Sequence, residues 1–254
     1  MTHLLLLLFA CTEPPQLKGR VVDIWNEPVE GATVLMEGAG ERPLTDEFGV
    51  YSMKVVPGKH EMKAGKKGYI QEAVEVELKE GDKEGPVFQL YRKPDDIGFY
   101  AVTVGDYLKL EPATVKVVGH DLDALYGIEN PSEKIYVEGD QIRIVYRIDL
   151  AMHQLQQLGL EIRKLKYIAE TTMVSVGGGQ ETPVPIHMWV DDGDVKFDLV
   201  KLKSKGHYLM TTTEPLDHDS MYVVQAQDLL TPKDPDTWKA IPESLRTVHP
   251  IFLK

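Results

Sequence analysis

The residues best suited to chemistry are small groups of carboxylates and histidines in the C-terminal half of the chain. Asp217-His218-Asp219 combines imidazole and carboxylate, ligands that suit several divalent cations. Adjacent residues of an extended chain point in opposite directions, however, so the three side chains cannot easily meet at one ion. Because Pro215 and Ser220 flank the group, the sequence favours a turn over a metal site.

Acidic residues also gather at two other places. Four aspartates lie at positions 191, 192, 194 and 198, but the glycine and glutamate spacing of an EF-hand is absent. Asp191-Asp192-Gly193-Asp194 is instead typical of a hairpin turn, as Ser204-Lys205-Gly206 is further on. Asp46, in Thr45-Asp46-Glu47-Phe48-Gly49, is open to a calcium-ligand interpretation. A carboxylate accepting backbone N–H bonds within a turn is favoured there, with Gly49 at positive φ.

Motifs of common catalytic and phosphate-binding sites are missing from the sequence. The eight histidines show no His-Glu-x-x-His spacing, and only the fold could unite His120, His153 and His187. Gly177-Gly178-Gly179 has no following Lys-Ser/Thr and is predicted to connect strands. No Gly-x-Ser-x-Gly elbow occurs. We therefore expect a protein without a cofactor and without catalytic activity.

A single thiol, Cys11, directly follows an apolar run, residues 4–10. Seven residues reach the lower limit of a signal segment and fall far short of the ~20 that span a bilayer. Leu8-Phe9-Ala10-Cys11 resembles the lipobox of bacterial lipoproteins. The resemblance implies cleavage after a signal peptide, residues 1–10, and acylation of Cys11 with fatty chains such as palmitate. Residues 11–16 would then be the lipidated tether, and Thr12 in place of Asp implies the cell outer membrane.

Charge and composition narrow the class of partner. The net charge of −12 argues against nucleic acid, which is bound through clustered Lys and Arg, and against adhesion to anionic lipid by charge alone. The basic residues between positions 59 and 67 are predicted to be a solvated strand end and turn. With 43% hydrophobic residues, a chain of 254 residues is able to form two cores.

Residues 17–92 show the pattern of short strands separated by turns. Tyr51, Met53 and Val55 alternate with polar residues, as do Val74, Val76 and Leu78. Turn signals recur about every ten residues, which is typical of an all-β sandwich.

The motifs of this segment resemble a known family. Gly19-Arg20-Val21-Val22-Asp23, then Glu27-Pro28-Val29-Glu30-Gly31-Ala32, Thr45-Asp46-Glu47-Phe48-Gly49, Pro57-Gly58 and Gly68-Tyr69 follow the order of a carboxypeptidase regulatory-like domain. The resemblance implies a seven-stranded, transthyretin-like sandwich without catalytic residues. Gly31-Ala32 is expected to let one strand pass close to its neighbour. An isopeptide bond is disfavoured, because Asn26, the one asparagine of the segment, sits in a predicted turn.

Polar, proline-bearing residues 92–96 suggest a boundary, and residues 97–254 resemble no family. They are predicted to form a second β-rich domain, sandwich- or barrel-like, with a short helix within residues 150–160. Residues 231–242 are predicted to be a surface loop around Trp238. Predicted strands cover residues 99–104, 114–119, 141–148, 162–168, 185–190, 195–202, 207–212 and 221–225.

Three functions remain open. The first is a non-catalytic, lipid-anchored envelope protein that binds a protein or a glycan, or is structural. The second is an envelope hydrolase whose carboxylates meet only in the folded 97–254 domain. The third is a metal- or ligand-binding lipoprotein. An exposed aromatic surface containing Trp189 or Trp238 would favour binding.

Overall fold

The computed structural model describes residues 16–119, 124–175, 180–226 and 228–254, and over these residues the protein is almost entirely β-structure. The chain divides into two compact units between Lys93 and Pro94. In the part of the chain that is described, no helix has the length and hydropathy required to cross a bilayer. The predicted signal segment, Cys11, His120 and the three glycines 177–179 lie outside the described residues.

The first unit forms a sandwich of two sheets. Its strands within the described residues are β1 (Gln16–Asp23), β2 (Thr33–Met36), β3 (Val50–Lys54), β4 (Gly58–Gly65), β5 (Tyr69–Ile70), β6 (Glu72–Leu78) and β7 (Glu84–Arg92). One sheet has the order β3-β1-β7-β5 and the other β2-β4-β6. β1 and β7 are parallel, while the other neighbours are antiparallel. The predicted seven-stranded sandwich is confirmed.

Both sheets contribute to one apolar core. Tyr51 and Met53 of β3 are buried, as their alternation with polar residues predicts. They pack with residues of both sheets, among them Leu17, Val34, Met62, Phe88 and Leu90.

The turn before β3 has the structure that its sequence predicts. Asp46 Oδ1 accepts hydrogen bonds from the backbone N–H groups of Phe48 (3.0 Å) and Val50 (2.8 Å). Gly49 has a φ of +72°, and a side chain there would collide with the Val21 carbonyl. The Asp46 carboxylate therefore organises a turn.

The expected role of Gly31 was wrong. It also has a positive φ, +68°, but beyond its chain neighbours no atom of the described residues lies within 4 Å of the position a Cβ would take. Gly31 supplies a backbone conformation, whereas the close approach between strands occurs at Gly19, beside the Tyr51 hydroxyl and the Pro86 carbonyl.

The second unit is larger and mixes long strands with short ones. Its described elements are β8 (Gly98–Val102), β9 (Tyr107–Lys109), β10 (Ala113–Thr114), β11 (Lys116–Val118), β12 (Leu125–Ile128), β13 (Tyr136–Val137), β14 (Arg143–Arg147), α1 (Met152–Gln157), β15 (Leu160–Ser175), β16 (Glu181–Val195), β17 (Phe197–Lys201), β18 (His207–Thr212), β19 (Met221–Ala226), α2 (Pro235–Ala240), a 3-10 turn (Glu243–Leu245) and β20 (Thr247–Leu253).

Two sheets build this unit into a nearly closed, barrel-like body. The larger has the order β10-β20-β19-β15-β16-β12-β11, with β13 beside β20, and the smaller β17-β18-β14-β8-β9. Only Lys196 separates β16 of the larger sheet from β17 of the smaller. Ile144, Met210 and Tyr222 belong to the core shared by the two sheets. The opposite face of β19 and β20 carries a second core that includes Val223 and Trp238.

Each of the eight predicted strands of this unit overlaps an observed strand, and α1 confirms the short helix. The turn at Ser204-Lys205-Gly206 joins β17 to β18 as predicted. β9, β12, β13 and β20 were not predicted. In β20, Pro250 interrupts the pattern and the last residues are buried on both faces, so the strand lacks a clear period of two.

The predicted hairpin turn at residues 191–194 was wrong. These residues lie inside β16, where Asp191 pairs with Leu165 of β15, and Asp192 is the extra residue of a β-bulge. Carboxylates remain in the strand because cations on β15 face them: Arg163, Lys164 and Lys166.

The surface loop predicted around Trp238 was also wrong. Residues 235–240 form α2, which begins after Asp234, whose carboxylate accepts the N–H of Asp236. Trp238 is buried, and its indole N–H donates to the Leu229 carbonyl at 2.9 Å. Helix formation turns the tryptophan into the second core of the larger sheet.

Candidate functional site

A row of four contacting aromatic rings lies on the larger sheet of the second unit: Tyr136, Phe252, Trp189 and Tyr167. We call it the aromatic row. Successive ring centroids are 5.5, 6.1 and 5.3 Å apart, with interplanar angles of 42°, 86° and 52°. Phe252 is buried and Trp189 half-buried, while the terminal rings, Tyr136 and Tyr167, are 44% and 46% exposed. The row therefore has a fixed middle and two exposed ends.

Strand register places these rings. Tyr167 of β15 lies opposite Trp189 of β16, and Tyr136 of β13 lies opposite Phe252 of β20. Directly opposed aromatic residues on neighbouring strands stabilise a sheet. β16 and β20 are not neighbours along the strand order, so the edge-on contact of Trp189 with Phe252 requires the sheet to curl. Each such ring pair contributes about 0.5–1.5 kcal/mol beyond its buried area.

Polar groups stand beside the rings. Lys134 Nζ lies 5.1 Å from the centroid of Phe252, and Lys254 Nζ lies 5.2 Å from that of Tyr136. Both distances fall within the range of cation–π attraction. The Trp189 indole N–H donates to Asn130 Oδ1 at 3.3 Å. The row thus combines apolar ring faces with amide and ammonium groups.

A groove of about 720 Å³ adjoins the aromatic row. Asn130 and Ile135 connect the two features, because Asn130 accepts from Trp189 and the Ile135 carbonyl accepts the N–H of Phe252 at 2.8 Å. A Lys116–Glu129 ion pair of 2.6 Å lies in the lining. The other lining residues are Glu111, Pro112, Ala113, Thr114, Pro131, Ser132, Glu133 and Pro250.

The metal-binding candidates do not come together. Asp217-His218-Asp219 forms a turn, with Asp219 at a φ of +57°. Lys164 donates to Asp217 at 2.6 Å and holds the pKa of that carboxyl below its usual value. His153 and His187 are exposed. Over the described ranges, no three His, Cys, Asp or Glu side chains are grouped to hold a metal ion.

One carboxyl pair escaped prediction from the sequence. Glu161 of β15 lies near Asp228, beyond the end of β19, and the two carboxyl groups interact. Burial raises the pKa of Glu161, and the neighbouring Asp228 raises it further, whereas the Gln225 amide, which donates at 2.7 Å, opposes the rise. The two residues are 67 positions apart, so no local motif could reveal them.

Comparison with known proteins gives one family match and distant structural likenesses. No curated protein matches the chain. The chain is similar to one in the crystal structure of a type II cohesin–X–dockerin complex from Acetivibrio cellulolyticus, with 20% identity and a TM-score of 0.28, over 31% of this chain and 58% of that one. It is also similar to a candidate carbohydrate binding protein from Bacteroides uniformis, with 10% identity and a TM-score of 0.22, over 84% and 88%. At these TM-scores neither likeness defines a function.

The family match covers the first unit alone. The regular strands and turns of this sandwich carry the motifs quoted above, and the predicted resemblance is confirmed for this part of the chain. Residues 16–91 match the family model of the carboxypeptidase regulatory-like domain.

Proposed function

We propose that this chain is a non-catalytic binding protein of the bacterial cell envelope and that its second unit binds a glycan across the aromatic row. The observation that carries the proposal is the exposure of Tyr136 and Tyr167 at the two ends of a row whose middle is held by packing. Rigid aromatic side chains offer a large contact area at a low cost in conformational entropy. The C–H faces of a sugar ring match such a surface.

The adjoining groove supports a ligand rich in hydroxyl groups. Its lining is dominated by side chains that donate or accept hydrogen bonds, including Glu111, Thr114, Lys116, Glu129, Asn130 and Ser132. A few convergent polar groups beside apolar surface are typical of sites that orient a ligand. Three carboxylates, counting Glu133, disfavour an anionic ligand, so a neutral glycan fits best.

The carboxyl pair supports binding over hydrolysis. Glycoside hydrolases keep their two carboxyl groups about 5 Å or more apart, so that a sugar or a water molecule fits between them. The Glu161 carboxylate is instead engaged by the Gln225 amide at 2.7 Å, and its carboxyl group interacts with that of Asp228. A hydrolase remains the second candidate function, because the raised pKa of Glu161 is the property of a general acid.

Glycan binding is testable with a panel of neutral oligosaccharides, with anionic peptidoglycan fragments for comparison, screened on an array and titrated by calorimetry. We expect Tyr136→Ala and Tyr167→Ala each to weaken binding at least fivefold, which corresponds to about 1 kcal/mol of binding free energy. Tyr100→Ala is the matched control, since Tyr100 also lies beneath a lysine, Lys109 Nζ at 6.0 Å, but on the smaller sheet. Absence of binding, or an equal loss in the control, would overturn the proposal. Release of reducing ends would replace it with hydrolysis.

The envelope address is part of the same proposal. Cys11 would carry fatty acyl chains, each buried methylene contributing about 0.8 kcal/mol to membrane binding. Mass spectrometry of the N-terminal peptide from native cells is expected to give an acylated Cys11 as the first residue. The Cys11→Ser variant should be recovered without lipid and released from the membrane fraction. An unmodified thiol behind an intact leader would contradict the anchor.

A further inference from the structure

The outer half of the β15–β16 hairpin forms a two-stranded arm, residues 167–175 and 181–188. β19 pairs with β15 only as far as Leu165, and β12 pairs with β16 only at Trp189 and Val190. Beyond those points, in the described part of the chain, the two strands pair with each other alone. Nine residues of β15 extend about 30 Å. An isolated two-stranded ribbon is marginally stable in water, so this arm gains from an added strand.

The edge formed by β16 is closed to strand addition. In an antiparallel ladder, backbone groups point alternately to the two neighbours, and Trp189 directs its carbonyl toward Gly127 of β12. Pro183 and Pro185 are an even number of positions from Trp189, so their backbone groups also point outward, away from β15. Proline has no N–H to donate, so both positions are lost to a new partner.

The edge formed by β15 is open. Leu165 pairs with β19, so residues an even number of positions from it have backbone groups that point away from β16. These outward-facing residues are Tyr167, Ala169, Thr171, Met173 and Ser175. None is proline, and Glu170 is the one charged residue of the segment. The exposed side chains include Met173, at 57%. A long, β-prone, weakly charged edge is the kind that natural proteins cover.

We propose that this edge pairs with the same edge of a second copy, antiparallel and symmetric about Thr171. In that register Tyr167 faces Ser175 and Ala169 faces Met173 of the partner, so every pair joins two outward-facing residues. Glu170 lies opposite Thr172, and no like charges meet. Because the prolines close the other edge of each arm, pairing stops at two copies and gives a closed two-fold dimer rather than a filament.

The full chain carrying Cys11→Ser, which removes the lipid, is the material for the test. Analytical ultracentrifugation over a concentration series is expected to show a monomer–dimer equilibrium. Thr171→Pro should raise the dimer dissociation constant at least tenfold. His187→Pro is the matched control, since it also places proline at an outward position of the arm, but on the closed edge, and should change the constant less than twofold. Circular dichroism checks that both variants keep their strands.

A cross-link locates the interface without relying on proline. Opposed residues of a hydrogen-bonded antiparallel pair have Cα atoms about 5.5 Å apart, which a disulfide can span. Thr171→Cys in the Cys11→Ser chain is therefore expected to give a disulfide-linked dimer under mild oxidation, and His187→Cys is not. A chain that stays monomeric, or a dimer that Thr171→Pro leaves intact, overturns the proposal. Glycan binding by the Thr171→Pro variant is measured as well. Binding that persists when the dimer is absent would show that failure of the dimer proposal leaves the proposed function intact.

Discussion

The guanidinium of Arg163 on β15 binds the Asp191 carboxylate on β16 with two parallel hydrogen bonds, Nε to Oδ1 and Nη2 to Oδ2, each 2.7 Å long. Both side chains are largely shielded, at 11% and 20% exposure. Asp194 also contacts the same guanidinium. The fork lies beside the β-bulge at Asp192, and such charge-assisted bonds stabilise an acidic segment within a long strand.

This pairing predicts that Arg163→Lys destabilises the second unit although the charge is kept. An ammonium group cannot make two parallel bonds to one carboxylate, and Asp191 would lose a partner in a shielded place. We expect the free energy of unfolding to fall by about 1–3 kcal/mol, somewhat less than for a fully buried pair. Urea denaturation of the full chain measures it. Lys196→Met, which removes the exposed pair with Glu214, should cost less than 1 kcal/mol. Equal losses would contradict a special role for the fork.

Sequence patterns predicted the elements whose determinants are local. The Tyr51 and Met53 alternation, the Asp46 turn and the Ser204-Lys205-Gly206 turn depend on residues within a few positions of one another. The pattern failed where a distant residue decides the outcome. Asp191 stays in a strand because Arg163 faces it from β15, and Trp238 is buried because a core is available beneath α2.

The candidate site was hidden for the same reason. Trp189 was singled out as an aromatic residue that an interface would expose, but its companions were not. Tyr136 and Phe252 reach it through two strands that the sequence did not predict, β13 and β20, and through the curl of the larger sheet. Periodicity describes one strand at a time and carries no information on which strands become neighbours.

Thr45 offers a test of buried hydrogen bonding in the sandwich. Its hydroxyl accepts from the Ala32 N–H at 2.8 Å and donates to the Val29 carbonyl at 2.5 Å, all within the buried interior. Thr45→Val keeps the shape but leaves both backbone groups unpaired, so we expect a loss of about 2 kcal/mol or more in unfolding free energy. Thr45→Ser keeps the hydroxyl and should lose only about 1 kcal/mol, the value of a buried methyl group. A valine variant as stable as the serine variant would disprove the assignment.

Alanine substitutions at Gly49 and Gly68 separate the energetic cost of backbone strain from that of a steric collision. Both glycines have positive φ angles, +72° and +85°, but a Cβ at Gly49 would meet the Val21 carbonyl. At Gly68, apart from its chain neighbours, none of the residues that the structure describes comes within 4 Å of a Cβ. Gly68→Ala is expected to cost about 1–2 kcal/mol from backbone strain alone. Gly49→Ala should cost clearly more, because the neighbouring backbone must move. Thermal unfolding of the two full-length variants compares them directly, and similar melting temperatures would show that the turn relaxes freely.

The protonation of the His249 side chain is expected to make the free energy of unfolding depend on pH. Its side chain packs against Phe99 with centroids 4.8 Å apart, and among the described residues its buried Nδ1 has no hydrogen-bond partner. Burial lowers the pKa of His249 below 6.5, and neither the backbone hydrogen bond with Val224 nor the charge of Glu111 overcomes this effect. Below pH 6.5 the unfolded chain therefore binds a proton that the folded protein resists. The stability gained from a neutral His249 is present above pH 6.5 and is lost as the pH falls toward the folded pKa, by at most about 1.4 kcal/mol per pH unit. Unfolding free energies measured from pH 8 to pH 5 should fall more steeply for the wild type than for His249→Gln, because glutamine cannot gain this proton. Parallel curves would show that His249 is protonated as easily in the folded protein as in the unfolded chain.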